Sequence, residues 1–299
     1  MTAFRITQRT ISQRTTGNLQ LSLRRLSETQ ERLSSGKVIR RPSDNPVGTV
    51  SALRLRSNIR STEQYVRNAE DGLGWLSAAD NTLTSSLSQV RRVRDLTLQA
   101  ANGANGEKER RAMAVEILAI RDSLIGLANS QHLGRPIFGG TADGVNPYDI
   151  AGAYQLTGPE ATGVIERTVA PGERVQVNIV GPQVFGDEPD NLFNVLTTIA
   201  TDLLANDVSN VATNLDNLDA RMRGVTDALG EIGARYNRVE TMKNRANDQI
   251  VTLKLSLSEV EDIDLPATIM DLQLQETAYK AALAATARVL QPSLVDFLR

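Results

Sequence analysis

Apolar residues in the carboxyl-terminal third of the chain recur at alternating steps of three and four residues. The stripe continues for about seven heptads, and only Lys243 interrupts it. A seven-residue repeat of this length is typical of a long straight helix that packs against partner helices. At about 1.5 Å per residue this helix would be about 80 Å long. The stripe consists of Val208, Val211, Leu215, Leu218, Met222, Val225, Leu229, Ile232, Tyr236, Val239, Lys243, Ala246, Ile250, Leu253, Leu257 and Val260.

A second stripe predicts another long helix earlier in the chain. Asp80 and Arg94 occupy positions in it where apolar residues are expected, and polar residues at such positions fix the register of helix pairing. The helix is expected to begin at Pro46, with Asp44 or Asn45 as its cap, and to end near residue 102. Its apolar positions are Val66, Ala69, Leu73, Leu76, Leu83, Leu87 and Val90.

A third helix is predicted over residues 107–129. One of its faces is apolar, since suitable residues recur at helical spacing. These residues are Met113, Ile117, Ile120, Leu124 and Leu127.

The two ends of the chain carry matching stripes and are predicted to pair. The first helix, over residues 11–35, contains Leu19, Leu23, Leu26 and Leu33, has Gln30 in the stripe, and stops at Gly36. The last helix follows Asp264 as cap and Pro266 as first residue, and its stripe contains Ile269, Leu272, Glu276, Tyr279, Leu283, Thr286 and Leu290. A two-helix coil with several polar positions is marginal in a free monomer, so we expect neighbouring subunits to order it.

Helical periodicity disappears between residues 139 and 190, where Gly and Pro cluster. Alternating apolar and polar residues over 174–179 predict a strand, and residues 164–169 and 154–156 are possible partners. Val184 and Phe185 are candidates for an edge strand. This segment is therefore expected to be a small β-rich insertion.

Together these patterns predict a mainly α fold, in which a long antiparallel helical rod carries the insertion and the terminal helices pair as a coiled coil. We expect three domains. They are a terminal coiled-coil domain (1–42 and 264–299), a helical rod domain (43–138 and 191–263) and the β-rich inserted domain (139–190).

The composition excludes most catalytic chemistry. The chain of 299 residues has no cysteine, its single histidine is His132, and aromatic residues make up only 4%. Disulfides, thiolate zinc sites and cysteine nucleophiles are therefore excluded, and histidine-based dyads nearly so. The glycine cluster over 134–144 lacks the Lys-Ser/Thr of a phosphate-binding loop, and the acidic run over 259–264 fits helix capping better than a calcium loop. We expect no enzyme activity, metal or cofactor.

Charge is distributed unevenly along the chain. Residues 1–60 contain twelve Lys or Arg and three acids, whereas residues 181–230 contain eight acids and two Arg. The basic residues lack interleaved aromatics, so subunit packing against an acidic neighbour is favoured over nucleic acid, which we do not expect as a partner. No membrane insertion is expected, because the longest small-apolar stretch is far shorter than the roughly 20 residues of a span. The amino-terminal segment also lacks the apolar core of a cleaved signal.

Four segments resemble the bacterial flagellin family. RLSSGKVIRRPSDNPVG at 32–48 is similar to the loop that follows the first helix in that family. Residues 72–83, GRPIFGGT at 134–141 and LQPSLVDFLR at 290–299 also resemble family segments. Flagellins proper carry an Ala-rich version of the first loop, whereas the RPSDNPVG form resembles the hook-filament junction branch of the family.

The resemblance implies a structural subunit of the bacterial flagellum. Its expected place is the junction layer between the first hook-associated protein and flagellin, and its expected partners are further copies of itself, those two proteins and a cytoplasmic export chaperone. Export through the flagellar type III apparatus without a cleaved signal would place it outside the cell. Flagellin itself, the bulk filament subunit, is the alternative.

Candidate assembly residues come from the terminal stripes and from one segment of the second helix. QVRRVRDLTLQA at 89–100 resembles the flagellin segment that packs between protofilaments, which makes Arg91 and Arg94 candidates. The full set is Leu19, Leu23, Leu26, Leu33, Arg91, Arg94, Leu283, Leu290, Leu294 and Phe297.

Overall fold

A computed structural model describes residues 8–102 and 106–290 of the chain. The prediction of a mainly α fold with a small β-containing insertion is confirmed. The helices are α1 (Gln8–Ser35), α2 (Pro46–Ala101), α3 (Glu107–Ala128), α4 (Gly181–Phe185), α5 (Leu192–Leu204), α6 (Val208–Glu261) and α7 (Leu265–Leu290). The strands are β1 (Gln131–His132), β2 (Arg135–Pro136), β3 (Glu166–Ala170) and β4 (Glu173–Gln176), which form two separate antiparallel pairs.

The chain divides into two compact units. Unit 1 contains residues 1–60 and 251–299, and unit 2 contains residues 61–250. Both α2 and α6 therefore contribute to each unit. The finer division into three domains stays a prediction.

The heptad stripes form the core of unit 2. On α2, every seventh residue from Ala69 to Val90 is fully buried, and the same spacing from Val211 to Val239 is buried on α6. Leu and Ile residues of α3 and α5 complete the core. We call the fully buried residues of these stripes the seam of the long helices. They are Ala69, Leu76, Leu83 and Val90 on α2 and Val211, Leu218, Val225, Ile232 and Val239 on α6.

Of the two polar positions in the α2 stripe, Arg94 pairs with α6. Arg94 donates two hydrogen bonds to the carboxylate of Asp219, with Nε–Oδ1 at 2.6 Å and Nη2–Oδ2 at 3.2 Å. The hydrogen bond from Arg94 lowers the pKa of Asp219 and raises that of Arg94 itself. A bidentate ion pair of this kind fixes one register of α2 against α6.

The insertion contains less β-structure than the sequence predicts. β3 and β4 form one hairpin with an irregularity between Thr168 and Ala170. The predicted strand ends early because the buried Asn178 side chain takes over the pairing: its Oδ1 accepts from Ile165 N at 2.8 Å and its Nδ2 donates to Gly163 O at 2.8 Å. The predicted strand over 154–156 is reduced to an isolated backbone bridge between Tyr154 and Tyr148.

The expected edge strand at Val184 and Phe185 is wrong, because these residues lie in α4. Pro182 stands at the start of this short helix and Gly186 follows its end, which is the usual order of these residues at helix termini. Phe185 is buried and its ring packs against Phe138 and Phe193 at centroid distances of 5.3 Å. Together with Tyr148 and Tyr154, these rings form an aromatic cluster within and next to the insertion.

The heptad pattern does not predict α5. This helix has its own cap, since the side chain of Asn191 accepts from Asn194 N at 2.8 Å. It packs against α3 and buries most of its apolar residues, which are Leu192, Phe193, Val195, Leu196, Ile199, Ala200 and Leu203.

Candidate assembly interface

The terminal helices α1 and α7 of unit 1 pack side by side in antiparallel orientation. Thr29 Oγ1 donates to Asp271 Oδ2 at 3.3 Å, and nearer the connecting segments Ile263 N donates to Gly36 O at 3.1 Å. The residue numbers of facing positions therefore rise on one helix as they fall on the other. This confirms the predicted pairing of the two ends of the chain.

A left-handed glycine ends α1 where the sequence predicts. Gly36 has φ of +68°, and its N–H donates to Arg32 O at 2.9 Å. Residues with a Cβ rarely adopt this conformation. The glycine turns the chain so that Lys37 and Val38 run antiparallel to residues 261–263, where Val38 N donates to Glu261 O at 2.7 Å.

Glu261 joins three segments of unit 1. Its buried Oε2 accepts from Lys37 Nζ at 2.6 Å and from Arg56 Nη2 at 2.7 Å. Burial alone raises the pKa of Glu261, but the hydrogen bonds from Lys37 and Arg56 outweigh it and hold the pKa below its ordinary value of 4.5. No local sequence signal identifies this cluster, because Glu261 lies more than 200 positions from both Lys37 and Arg56 along the chain.

The helices α2 and α7 each begin at a capping residue. Of the two candidate caps of α2, the structure selects Asn45, whose Oδ1 accepts from Gly48 N at 2.9 Å. Asp44 instead accepts from the backbone N–H groups of Arg41 and Arg40, and these bonds lower its pKa. Asp264 caps α7 as predicted, with Oδ1 accepting from Ala267 N at 3.2 Å.

The residues that line the contact between α1 and α7, which we call the seam of this pair, differ in part from the predicted stripes. Leu19, Leu26 and Leu33 are half-buried in it, but the intervening positions are Ser22 and the buried Thr29, not Leu23 and Gln30. On α7 the half-buried or buried positions are Thr268, Leu272, Gln275, Glu276, Tyr279, Ala282 and Thr286. The seam thus contains many small and polar residues, which contribute little apolar burial.

Three predicted seam residues lie beside the seam instead. Leu23, Ile269 and Leu283 are 49%, 43% and 42% exposed, and each follows a seam residue by one position. In an antiparallel pair, the positions one residue after the seam on both helices lie on the same side of the pair. These three residues therefore lie on one side of the helix pair, and we call them the lateral band.

Exposed apolar side chains are concentrated in unit 1. Among the described residues, thirteen of the twenty exposed large apolar side chains belong to it, whereas Ala52 and Ile59 are its only buried apolar residues. A unit of this size normally buries its apolar side chains in a core of its own. The exposed set in unit 1 is Leu21, Leu23, Val38, Val47, Val50, Leu53, Val251, Leu255, Leu265, Ile269, Met270, Leu274 and Leu283.

The other candidate residues have different positions. Arg91 is exposed on α2, and Arg94 is half-buried in its pair with Asp219. Leu290 is the last residue of α7, and Leu294 and Phe297 lie outside the described residues. Their roles in assembly stay predictions.

Other kinds of site are not found in the described part of the chain. No group of three or more metal-ligating side chains comes together in residues 8–102 and 106–290. Within the same residues, no helix has both the length and the apolar character needed to span a membrane.

Comparison with known proteins identifies the family. The model of the bacterial flagellin N-terminal helical region matches residues 6–142, and that of the C-terminal helical region matches residues 215–298. The two matches together span about three quarters of the chain. The chain belongs to the bacterial flagellin family.

Individual members of the flagellin family are similar over most of their length. Flagellar hook-associated protein 3 of Escherichia coli is 25% identical over 85% of this chain and 87% of its own. Flagellin of Bacillus subtilis is 25% identical over 87% of this chain and 88% of its own. The structure of a flagellar hook-associated protein from Vibrio parahaemolyticus has a TM-score of 0.66 at 24% identity, covering 73% of this chain and all of that one.

This flagellin-family chain is a structural flagellar protein and not an enzyme, and as such it assembles with other flagellar components. The matches to flagellar hook-associated protein 3 of two organisms support the interpretation of a hook-associated protein over that of bulk flagellin.

Proposed function

We propose that this protein forms the junction layer between the first hook-associated protein and the flagellin filament. The observation that carries the proposal is the exposure of apolar side chains in unit 1, most of which lie on its surface. Covering a half-exposed Leu or Ile contributes about 1 kcal/mol, so neighbours on several sides would supply the stabilisation that the helix pair lacks. Assembly and ordering of the terminal helices are then a single event.

The lateral band is the proposed contact between neighbouring helix pairs. Leu23, Ile269 and Leu283 face one side, and both helices contribute to it. A band shared by two helices can be formed only after they have paired. The contact therefore selects the paired state.

Export precedes assembly in this proposal. The protein would leave the cytoplasm through the flagellar type III apparatus without a cleaved signal, with a cytoplasmic chaperone holding its terminal helices beforehand. A chaperone suits the exposed apolar surface of unit 1, because such surface promotes aggregation when it is left uncovered.

Deletion of the gene tests the proposed function against the flagellin alternative. The filament can attach to the hook only through the junction layer, so the deletion strain should carry hooks without filaments and release flagellin into the medium. Electron microscopy of the cells and immunoblots of the medium would show both. Normal filaments in the deletion strain would contradict the proposal. Loss of the filament subunit itself, with no flagellin left to leak, would favour the alternative.

A further inference from the structure

The two units carry opposite net charges. Unit 1 contains sixteen Lys and Arg and ten Asp and Glu, which gives a net charge of +6. Unit 2 contains the remaining seventeen basic and twenty-five acidic residues, which gives −8. The net charge of the whole chain, −2, conceals this separation. Opposite potentials of this size attract identical copies in one orientation, unit 1 to unit 2.

A face of α2 in unit 1 combines this positive charge with apolar surface. Ala52 and Ile59 are buried on one side of the helix, and the opposite side carries Val50, Leu53, Arg54 and Ser57, all exposed. Val50 and Leu53 are each 58% exposed. Arg54 makes no ion pair with any described residue, unlike nearby Arg56, which bonds to Glu261. We call this surface the α2 outer face.

Unit 2 carries a dense acidic segment that matches this face in charge. Asp187, Glu188 and Asp190 lie between α4 and α5, and all three are exposed. None of them forms an ion pair within the part of the chain that the structure describes, whereas Asp219 is satisfied by Arg94. These carboxylates therefore carry negative charge that is not neutralised by an ion pair with a described residue.

We propose that the α2 outer face of one copy docks on the acidic segment 187–190 of a second copy, with Arg54 pairing with its carboxylates and Val50 and Leu53 buried beneath. The contact joins two different surfaces of identical chains. Contacts of this kind generate rings or helical layers and do not stop at a dimer. The proposal rests on the proposed function, because it supplies a second contact between copies in the junction layer, in addition to that of the lateral band.

Site-specific cross-linking in assembled flagella tests the contact. A photoreactive residue replaces the exposed Ser57, and flagella shed from the cells are irradiated. The expected product contains two copies of this chain, and mass spectrometry should locate the second attachment within or next to residues 187–190. Cross-links to unit 1 of a second copy, or to a different protein, would overturn the proposal. Absence of the protein from the shed flagella would instead count against the proposed function.

Charge-reversal variants provide a second test of the same contact. The basic reversal, Arg54→Glu with Arg60→Glu at a second exposed arginine of α2, and the acidic reversal, Asp187→Lys with Glu188→Lys, should each lower the yield of this cross-link roughly tenfold. A chain that carries both reversals should recover the yield, because the acidic face of one copy then contacts the basic segment of the next. Lys108→Glu, at an exposed position of α3, is the control for a change of charge alone and should leave the yield unchanged. Circular dichroism checks that every variant folds, and failure of the double reversal to recover the yield would refute the pairing.

Discussion

Lys37 and Glu261 form an ion pair at 2.6 Å although 224 positions separate them in the chain. The pair stands where the terminal helices join the long helices within unit 1, and Arg56 adds a second cation to the same carboxylate oxygen. The side chain of Glu261 is only 5% exposed, whereas Lys37 and Arg56 are 40% and 45% exposed. The carboxylate is thus the buried centre of the cluster, and its removal affects both partners.

Replacing Glu261 with Gln should loosen the connection between α1 and α7. The amide keeps the shape of the side chain but loses two charge-assisted hydrogen bonds, each of which contributes about 1.5–3 kcal/mol at most. Hydrogen exchange should become faster at the amides of Val38 and Ile263, which bridge the two segments. The matched control is Glu259→Gln, at an exposed position two residues away, which should leave exchange unchanged.

The same carboxylate predicts an acid-sensitive connection. The pKa of Glu261 in the folded state lies below its ordinary value of 4.5, so its contribution to stability is complete above that value and is lost as the pH falls through the folded-state pKa. Exchange at Val38 and Ile263 should therefore accelerate on acidification, after correction for the intrinsic pH dependence of exchange. The Glu261→Gln variant should lack this component. Equal acceleration in both proteins would rule out Glu261 as its source.

Gly36→Ala should destabilise the end of α1. A Cβ is disfavoured at φ of +68°, at a cost of about 1 kcal/mol, although no neighbouring atom stands in its way. Gly17→Ala is the matched control, since Gly17 lies inside α1 and has open space around it, so the same substitution should stabilise that helix. Helical content measured by circular dichroism during heating should shift in opposite directions for the two variants. A shift in the same direction would show that backbone conformation does not decide the outcome.

Replacing Leu23, Ile269 and Leu283 with Ser should block incorporation into flagella. The three residues form the lateral band, which contributes about 3 kcal/mol to each neighbour contact if every side chain contributes about 1 kcal/mol. Immunoblots of shed flagella and of the medium measure incorporation, and thermal unfolding of unit 2 should not change. Val115→Ser, at an exposed apolar position of α3 in unit 2, is the control and should incorporate normally. Incorporation of the triple variant would show that the lateral band is not the contact.

Leu218→Ala should destabilise unit 2 by about 3 kcal/mol or more, because Leu218 is fully buried in the seam between the long helices and its truncation leaves a cavity. Urea denaturation followed by circular dichroism measures the free energy of unfolding. Leu255→Ala, on the part of α6 that belongs to unit 1, is 62% exposed and should change this free energy little. Similar effects of the two substitutions would contradict the different burial of α6 in the two units.

The long helices were predictable because their signals are local and repeated. A heptad that recurs from Val208 to Val260 specifies both the helix and its buried side, and the caps at Asn45 and Asp264 mark boundaries within a few residues of the observed ones. Val184 and Phe185 in α4 were predicted as an edge strand because a pair of apolar residues fits either period, and the burial of Phe185 against Phe138 and Phe193 decided the conformation.

The sequence by itself determined α1, α2, α3, α6 and α7, the pairing of the two ends and the family, because periodicity, capping residues and family motifs depend on residues that are close together in the chain. Only the tertiary structure decided which side of each terminal helix is buried. Ser22 and Thr29 lie in the seam and Leu23 lies beside it, since the antiparallel contact with α7 sets the rotation of α1. The tertiary structure also decided the cluster of Lys37, Arg56 and Glu261. Contacts between segments more than 200 positions apart depend on the folded path of the chain and not on local preference.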